Sequence, residues 1–219
     1  MDISGFFPFW DKIDARDRET LGSAANVRHV AEGDVLEPGR DNCTGLILIG
    51  GARLRVFILS EEGREVTLFR LGPGDVCLLS ASCMFQGVSF DINIIAEKGG
   101  EIAIIPTRVY KTISDRSAPL ANFTNQIMAE RFDSVMWLIE QILWKSFDAR
   151  LAEFLLDEAE LENSDSLGIT HEQIAYHLGT AREVVTRMLK YFVGEGYVAL
   201  ARGSVTLTDK EALRKIAGK

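Results

Sequence analysis

The sequence is poor in the residues that build disulfide scaffolds and metal centres. Its 219 residues include three cysteines, Cys43, Cys77 and Cys83, and three histidines. An odd, small number of cysteines without a secretion signal predicts reduced thiols in a cytosol. Two of the histidines, His171 and His177, lie in one C-terminal segment. A metal site that takes several histidines from one β domain therefore cannot be assembled.

Other signals are missing as well. No apolar run approaches the roughly 20 residues that a membrane helix needs. The start of the sequence lacks the basic residues and the long apolar run of a signal peptide. The sequence also has no Gly-rich phosphate loop, nucleophile elbow or zinc signature. These absences predict a cytoplasmic protein without an enzymatic or membrane role.

The charge is unevenly distributed along the chain. The whole sequence has 24 Lys and Arg against 32 Asp and Glu, a net charge of −8. Residues 168–219 carry a net charge of +3, which leaves −11 for the first 167 residues. A basic C-terminal segment on an acidic body is consistent with a DNA-binding module joined to a different domain.

Residues from about 20 to 105 have the pattern of strands and turns. Short apolar and β-branched stretches alternate with Gly-rich turns such as Gly72-Pro73-Gly74-Asp75. Frequent turns between short strands predict a compact all-β barrel or sandwich. The predicted strands are Asn26–Ala31, Gly45–Ile49, Arg53–Leu59, Glu65–Leu71, Ile92–Ala96 and Glu101–Ile105.

A long helix is predicted after Pro106. Apolar residues recur at three-to-four-residue spacing over about 119–145, which indicates a helix with a broad apolar stripe. Such a helix of about 26 residues is about 39 Å long, which exceeds the width of a small barrel. A second copy of the helix is the simplest partner for this stripe, and packing along its own β domain is the alternative.

The helical pattern breaks at Ser146-Phe147-Asp148. Asp148 is the predicted N-cap of another helix, from Ala149 to about Glu162, and residues 162–166 are predicted to form a loop. The expected domains are therefore residues 1–118 (a β domain), 119–146 (a dimerisation helix) and 147–219 (a DNA-binding domain).

The C-terminal segment has the pattern of a helix-turn-helix. Gly179 permits a sharp turn between helices predicted at 171–178 and about 181–193. Three pairs have the spacing of a capping box, in which a Thr and a residue three positions later bond each other's backbone N–H. The pairs are Thr170 with Gln173, Thr180 with Glu183, and Thr208 with Glu211.

The second predicted helix separates into an apolar face and a charged face at 100° per residue. Arginine can bind guanine O6 and N7 with two hydrogen bonds, and a glutamate can accept from cytosine N4. Lys190 and Thr186 could hold phosphates. A solvated surface, with Glu183 serving only the cap, is the alternative. The charged face consists of Arg182, Glu183, Thr186, Arg187 and Lys190.

Two short strands, Tyr197–Ala201 and Ser204–Thr208, are predicted around the turn Arg202-Gly203. This hairpin has the position of a wing, and wings contact the DNA backbone. The predicted DNA-binding residues are Thr170, Thr180, Arg182, Glu183, Thr186, Arg187, Lys190 and Arg202.

The C-terminal segment resembles the CRP/FNR family of regulators. The residues that carry the resemblance are Ile174-Ala175, Leu178-Gly179, Arg182-Glu183, Arg187, Leu189-Lys190, Gly196-Tyr197-Val198 and Val205-Thr206-Leu207. The resemblance implies that Arg182 and Arg187 contact guanines and that Glu183 contacts a cytosine in a half-site of the TGTGA kind.

The resemblance extends to the β section, whose turns match the family's sensory β-roll, and to the long helix and the hinge at Phe147-Asp148. It implies an α+β fold: an N-terminal β-roll (a double-stranded β-helix, cyclic-nucleotide-binding-like), a long dimerisation helix and a C-terminal winged helix-turn-helix. It also implies a homodimer that binds a palindromic site in double-stranded DNA, with RNA polymerase as a further partner if the protein is an activator.

The β section departs from members of the family that bind cyclic nucleotides. In those members a glutamate holds the ribose and an Arg-Ser or Arg-Thr pair holds the cyclic phosphate. Here the glutamate position is apolar, Lys98 is the one basic residue between Arg70 and Arg108, and Asp91 lies near the place of the arginine. Because a buried phosphate needs a cationic partner, no binding of cyclic AMP is predicted.

The predicted effector is therefore small and mostly apolar or uncharged, and no cofactor is predicted. Cys77 and Cys83 could sense redox state as thiolates or be buried apolar residues. A haem with Cys77 or His29 as axial ligand, or an iron–sulfur cluster, is less favoured. The predicted effector pocket consists of Cys77, Leu78, Leu79, Ser80, Cys83, Phe123 and Ile127. An effector-binding dimer with a vestigial DNA-binding module is the alternative function.

Overall fold

The structure is a computed structural model that describes residues 1–38, 44–84 and 92–219, with the side chains of 37, 38 and 82–84 left out. Cys43, Asp91 and the side chain of Cys83 therefore lie outside the described residues. The chain divides into two compact units, Met1–Leu59 with Leu68–Val135, and Ser60–Thr67 with Met136–Lys219. This division falls within the long helix, and the two predicted domain boundaries, at 118/119 and 146/147, stay a prediction.

Eight strands form the N-terminal β section within the described residues. They are β1 (Asn26–Val30), β2 (Val35–Pro38), β3 (Leu46–Ile49), β4 (Arg53–Leu59), β5 (Glu65–Leu71), β6 (Val76–Cys77), β7 (Asn93–Lys98) and β8 (Gly100–Ile105). Two four-stranded sheets have the orders β1-β8-β3-β6 and β2-β7-β4-β5. The prediction of a small β barrel or sandwich is confirmed, and the short strands β2 and β6 were not predicted.

Strand β3 is buried along its whole length. Successive side chains of a strand point to opposite faces of its sheet. Ile47 and Ile49 belong to one apolar cluster, which also contains Leu54 and Ile94 from the other sheet. Leu46 and Leu48 belong to a second cluster, which β3 shares with the helices of this unit. The sheet that contains β3 thus has an apolar core on each face.

Within the described residues, three α-helices accompany the sheets. They are α1 (Ala15–Ala24), α2 (Thr107–Ser114) and α3 (Ala118–Trp144). Asp14 caps α1 by accepting a hydrogen bond from the backbone N–H of Arg16 at 2.9 Å. The hydroxyl of Tyr110 on α2 lies 2.9 Å from that of Thr124 on α3. Burial raises the pKa of Tyr110 to about 12, so this contact joins two neutral hydroxyls.

The long helix α3 confirms the helix predicted at about 119–145. Leu120, Thr124 and Ile127 in its first half are buried. Its second half exposes a row of apolar side chains at spacings of four, three and four residues. These side chains are Phe132 at 68% exposure, Met136 at 39%, Ile139 at 42% and Leu143 at 65%. Among the described residues, no helix has the length and apolar character needed to cross a membrane.

The C-terminal unit contains four helices and a three-stranded sheet of order β10-β11-β9. The elements after α3 are α4 (Phe147–Leu161), β9 (Ser166–Leu167), α5 (His171–Leu178), α6 (Arg182–Gly194), β10 (Val198–Ala201), β11 (Ser204–Leu207) and α7 (Lys210–Ala217). Leu155, Ile174, Leu189, Phe192 and Leu213 from four helices meet in one buried core. The predicted order of helix, turn, helix and hairpin is confirmed.

The predicted starts of α4 and α7 are wrong by two residues and by one residue. Helix α4 begins at Phe147 after Ser146, which places Asp148 in the first turn, where its charge favours the helix dipole. Helix α7 is capped by Asp209, whose side chain accepts from the N–H of Ala212 at 2.9 Å. Thr208 instead donates its hydroxyl proton to the carbonyl of Gly196 at 2.7 Å.

Candidate nucleic-acid interface

Helix α5 starts with the predicted capping box. The Thr170 hydroxyl oxygen accepts from the N–H of Gln173 at 3.2 Å, and the Gln173 amide oxygen accepts from the N–H of Thr170 at 2.8 Å. Two of the backbone donors that a helix start leaves unpaired are therefore satisfied. The residue that follows the cap, His171, is the first residue of α5.

The turn between α5 and α6 depends on Gly179. This residue has φ +61° and ends α5 in the left-handed conformation, which glycine adopts without the steric cost of a side chain. The N–H of Thr180 bonds the carbonyl of Ala175 at 3.1 Å. A Cβ atom on Gly179 would lie 3.0 Å from Cγ2 of Val66, so the turn is closely packed as well as left-handed.

The predicted capping box of Thr180 with Glu183 is wrong. Helix α6 begins at Arg182 after Ala181, and no side chain caps it. Thr180 belongs to the turn that closes α5, so α6 starts one residue later than the sequence spacing indicated. Glu183 is then the second residue of the helix, where it cannot reach back to Thr180 as a capping box requires. The alternative role of Glu183 as a capping partner is removed.

Helix α6 has the two predicted faces. Val185, Leu189 and Phe192 are fully buried in the core of the C-terminal unit. The opposite face carries exposed charged side chains and the half-buried Thr186. The structure brings five predicted residues together around a concavity of about 430 Å³. These residues are Arg182, Glu183, Thr186, Arg187 and Lys190.

The three cations of this face are available for an external anion. Arg182, Arg187 and Lys190 form no ion pair with any residue of the part of the chain that the structure describes. The face therefore has three positive charges and one negative charge directed at solvent. This combination suits a polyanion whose neutral base edges also offer hydrogen-bond acceptors and donors.

Thr186 is already engaged by a residue that the sequence analysis did not select. Its hydroxyl lies 2.9 Å from Nδ1 of His171 across the crossing of α5 and α6. Burial and the positive charge of Arg182 lower the pKa of His171 below its usual value. The two residues are 15 positions apart, and no local spacing rule could have found the pair.

The wing has a third strand. Strands β10 and β11 pair from Val198 with Leu207 to Ala201 with Ser204, and Arg202 is exposed at the tip. Strand β9 pairs with β11, and its first residue, Ser166, is the last residue of the predicted loop 162–166. Because β9 precedes α5 in the chain, its pairing with β11 joins the hairpin to the segment that leads into the helix pair.

The predicted effector pocket is divided between the two cores of the β section. Cys77 and Leu79 lie in the cluster between the sheets, whereas Leu78, Ile127 and Phe123 lie in the cluster on the helix side. Neighbours in sequence such as Cys77 and Leu78 therefore pack into different clusters, and these residues do not line one common surface.

Three of the pocket residues have specific surroundings. Phe123 packs edge-on against Phe7 at 5.6 Å and Phe9 at 5.2 Å between ring centroids. The buried Ser80 donates its hydroxyl proton to the carbonyl of Gly45 at 2.6 Å. Burial raises the pKa of the Cys77 thiol, which favours the neutral apolar form over a reactive thiolate. Among the described residues there is no group of three candidate metal ligands.

Comparison with known proteins supports this description. The family model of the Crp-like helix-turn-helix domain matches residues 149–216. A crystal structure from Eubacterium rectale, assigned as a transcriptional regulator of the CRP/FNR family, is 48% identical, covers 98% of this chain and 99% of its own, and has a TM-score of 0.95. The cyclic AMP receptor protein of Thermus thermophilus is 25% identical over 172 residues, 78% of this chain and 79% of that protein.

A more distant structure shares the fold alone. The c-di-GMP-responsive global regulator CLP of Xanthomonas campestris is 16% identical, with a TM-score of 0.77 over 90% of this chain and 100% of its own. The fold of this chain therefore recurs in a protein of low sequence identity.

Proposed function

Because this chain belongs to the CRP/FNR family of transcription regulators, we propose that it acts as a homodimer that reads a palindromic DNA site under the control of a signal sensed in its β section. The observation that carries the proposal is the polar face of α6. Arg182, Glu183 and Arg187 stand on it without ion-pair partners among the described residues, and Lys190 continues the face toward the helix end.

Base reading is assigned to the first turns of α6. Arg182 and Arg187 bind guanines through O6 and N7, and Glu183 accepts from a cytosine amino group. Lys190 holds a phosphate, and the wing residue Arg202 holds another. Thr170 at the start of α5 and Thr180 in the turn before α6 complete the set of backbone contacts.

Dimerisation is assigned to the exposed row of α3. Phe132, Met136, Ile139 and Leu143 repeat at the spacing of coiled-coil core positions. A second copy of the helix covers these side chains and places two α6 helices about 34 Å apart, one turn of DNA. Homodimers with a two-fold axis read palindromes, since each half-site meets an identical α6.

The signal is assigned to a small effector other than a cyclic nucleotide. The proposal rests on the apolar residues around Cys77 and on the missing glutamate and arginine in the sequence. Thiol oxidation at Cys77 and Cys83 is the second candidate, and the raised pKa of Cys77 disfavours it. If the protein is an activator, RNA polymerase is its further partner.

The test is selection from a random DNA duplex library at one fixed salt concentration, because phosphate contacts make affinity salt-dependent. Enrichment of a palindrome with G-containing half-sites is expected. Arg182→Ala should then lose about 1–3 kcal/mol of binding free energy and relax one base position. Arg214→Ala, an exposed arginine on α7 away from this face, serves as the matched control.

Two results would contradict the proposal. Selection with and without cell extract or oxidant could fail to enrich any sequence, which would favour an effector-binding protein with a vestigial module. Alternatively, Arg182→Ala and Arg214→Ala could weaken binding equally at every sequence, which would show that the cations act only on the DNA backbone.

A further inference from the structure

His171 stands at the edge of the DNA-reading face without belonging to its charged set. It is the first residue of α5, directly after the capping residue Thr170, and its side chain is half-buried. Its Nδ1 atom lies 2.9 Å from the hydroxyl oxygen of Thr186, which itself lines the concavity of α6. The ring therefore joins the two helices at the surface that faces DNA in the proposed function.

The bond to Thr186 is compatible with both protonation states of the ring. A threonine hydroxyl donates to a neutral Nδ1 and accepts from a protonated one. The hydroxyl can thus reverse its role when the imidazole gains a proton, and the link between α5 and α6 is kept. The second ring nitrogen, Nε2, makes no hydrogen bond with the described residues and can donate to a phosphate oxygen.

DNA binding changes the electrostatic environment of His171. Arg182 on α6 lowers the pKa of His171 in the free protein, after the larger effect of burial. Glu183 borders Arg182 on α6, and Glu172 is the neighbouring acid on α5. The negative phosphates of bound DNA offset the positive charge of the base-reading Arg182, and they also favour a positive imidazole.

We propose that His171 is a proton-linked contact of the DNA interface, neutral in the free protein and protonated against the DNA backbone, so that DNA affinity rises as pH falls. The inference rests on the proposed function of α6 and adds a regulation to it. The ligand of the protonated ring is a phosphate diester of the DNA backbone.

The sign of the effect follows from linkage. The pKa of His171 is below its usual value in the free protein and higher in the complex, so the complex binds more protons. Above the pKa of the complex, His171 adds no pH dependence. Between the two pKa values, affinity rises by up to about tenfold per pH unit for each His171 in contact, and below the pKa of the free protein the gain is complete.

The test is a series of dissociation constants for the selected DNA site from about pH 5.5 to about pH 8, at constant ionic strength. Three full-length proteins are compared: the wild type, His171→Gln, and His177→Gln. Glutamine can still hydrogen-bond Thr186 but does not titrate in this range. His177, at the other end of α5, lies 3.1 Å from the Thr67 hydroxyl and provides the control for a histidine outside the concavity.

The expected result is a several-fold gain in wild-type affinity between neutral and mildly acidic pH, retained in His177→Gln and lost in His171→Gln. Calorimetry in two buffers of different ionisation enthalpy should show proton uptake on binding that disappears in His171→Gln. Equal pH slopes in wild type and His171→Gln would overturn this inference and leave the proposed function intact. Absence of DNA binding at every pH would overturn both.

Discussion

Replacing Gly179 by alanine tests whether the left-handed turn holds the two DNA-reading helices in place. At φ +61° an alanine costs about 1–2 kcal/mol relative to glycine. The new Cβ also meets Cγ2 of Val66 at 3.0 Å, tighter than ordinary contact. We therefore expect a loss of at least about 1–2 kcal/mol in the local stability of α5 and α6.

Amide hydrogen exchange measures this loss where it occurs. Each 1.4 kcal/mol corresponds to about a tenfold change in opening, so amides of α5 and α6 should exchange roughly 5- to 30-fold faster. Gly194→Ala is the matched control, because Gly194 ends α6 without a positive φ and a Cβ there meets nothing within 4 Å. That variant should be neutral or slightly stabilising.

A second variant separates the two causes of the loss. Val66→Ala removes the crowded methyl groups and leaves the backbone angle of Gly179 unchanged, so the double variant should recover only the part due to contact. Full recovery in the double variant would refute the backbone argument. Unchanged exchange in Gly179→Ala would refute both arguments.

Three further predictions concern the rest of the molecule. Leu143→Asp places a charge in the exposed row of α3 and should yield monomers by light scattering. Gln126→Asp changes an exposed residue outside that row and should remain a dimer. A dimeric Leu143→Asp would refute the assignment of dimerisation to the exposed row. Cys77 is buried and its pKa is raised, so alkylation located by tandem mass spectrometry should modify its thiol only after unfolding, and rapid modification of Cys77 in the folded protein would favour a redox role. Calorimetry with cyclic AMP should give no heat of binding, and micromolar affinity would contradict the reasoning from the missing arginine.

The sequence predicted best where a pattern repeats over many residues. The long helix α3 was placed within one residue at each end, and the two faces of α6 were assigned correctly, because apolar periodicity extends through both. Helix α1 was missed because Asp17 and Leu21 are its only buried residues and the rest of its sequence is polar. Strand β6 is two residues long, which is too short to show an alternation of apolar and polar residues.

Local spacing failed where two signals competed for one residue. Thr180 matched a capping box, but its backbone is used by the turn that ends α5. Thr208 matched a second capping box, but the neighbouring Asp209 is the residue that caps α7. The contact between His171 and Thr186 depends on how two helices cross, which packing decides and sequence spacing does not encode.

Strand β3 is buried on both faces and separates two apolar cores. Ile47 faces the space between the sheets, and its neighbour Leu48 faces the helix side. Protein interiors are close-packed and transmit small changes in volume rather than absorb them. A molecule that changes the volume of the space between the sheets would therefore displace β3, and the surface on which α3 packs would change shape with it.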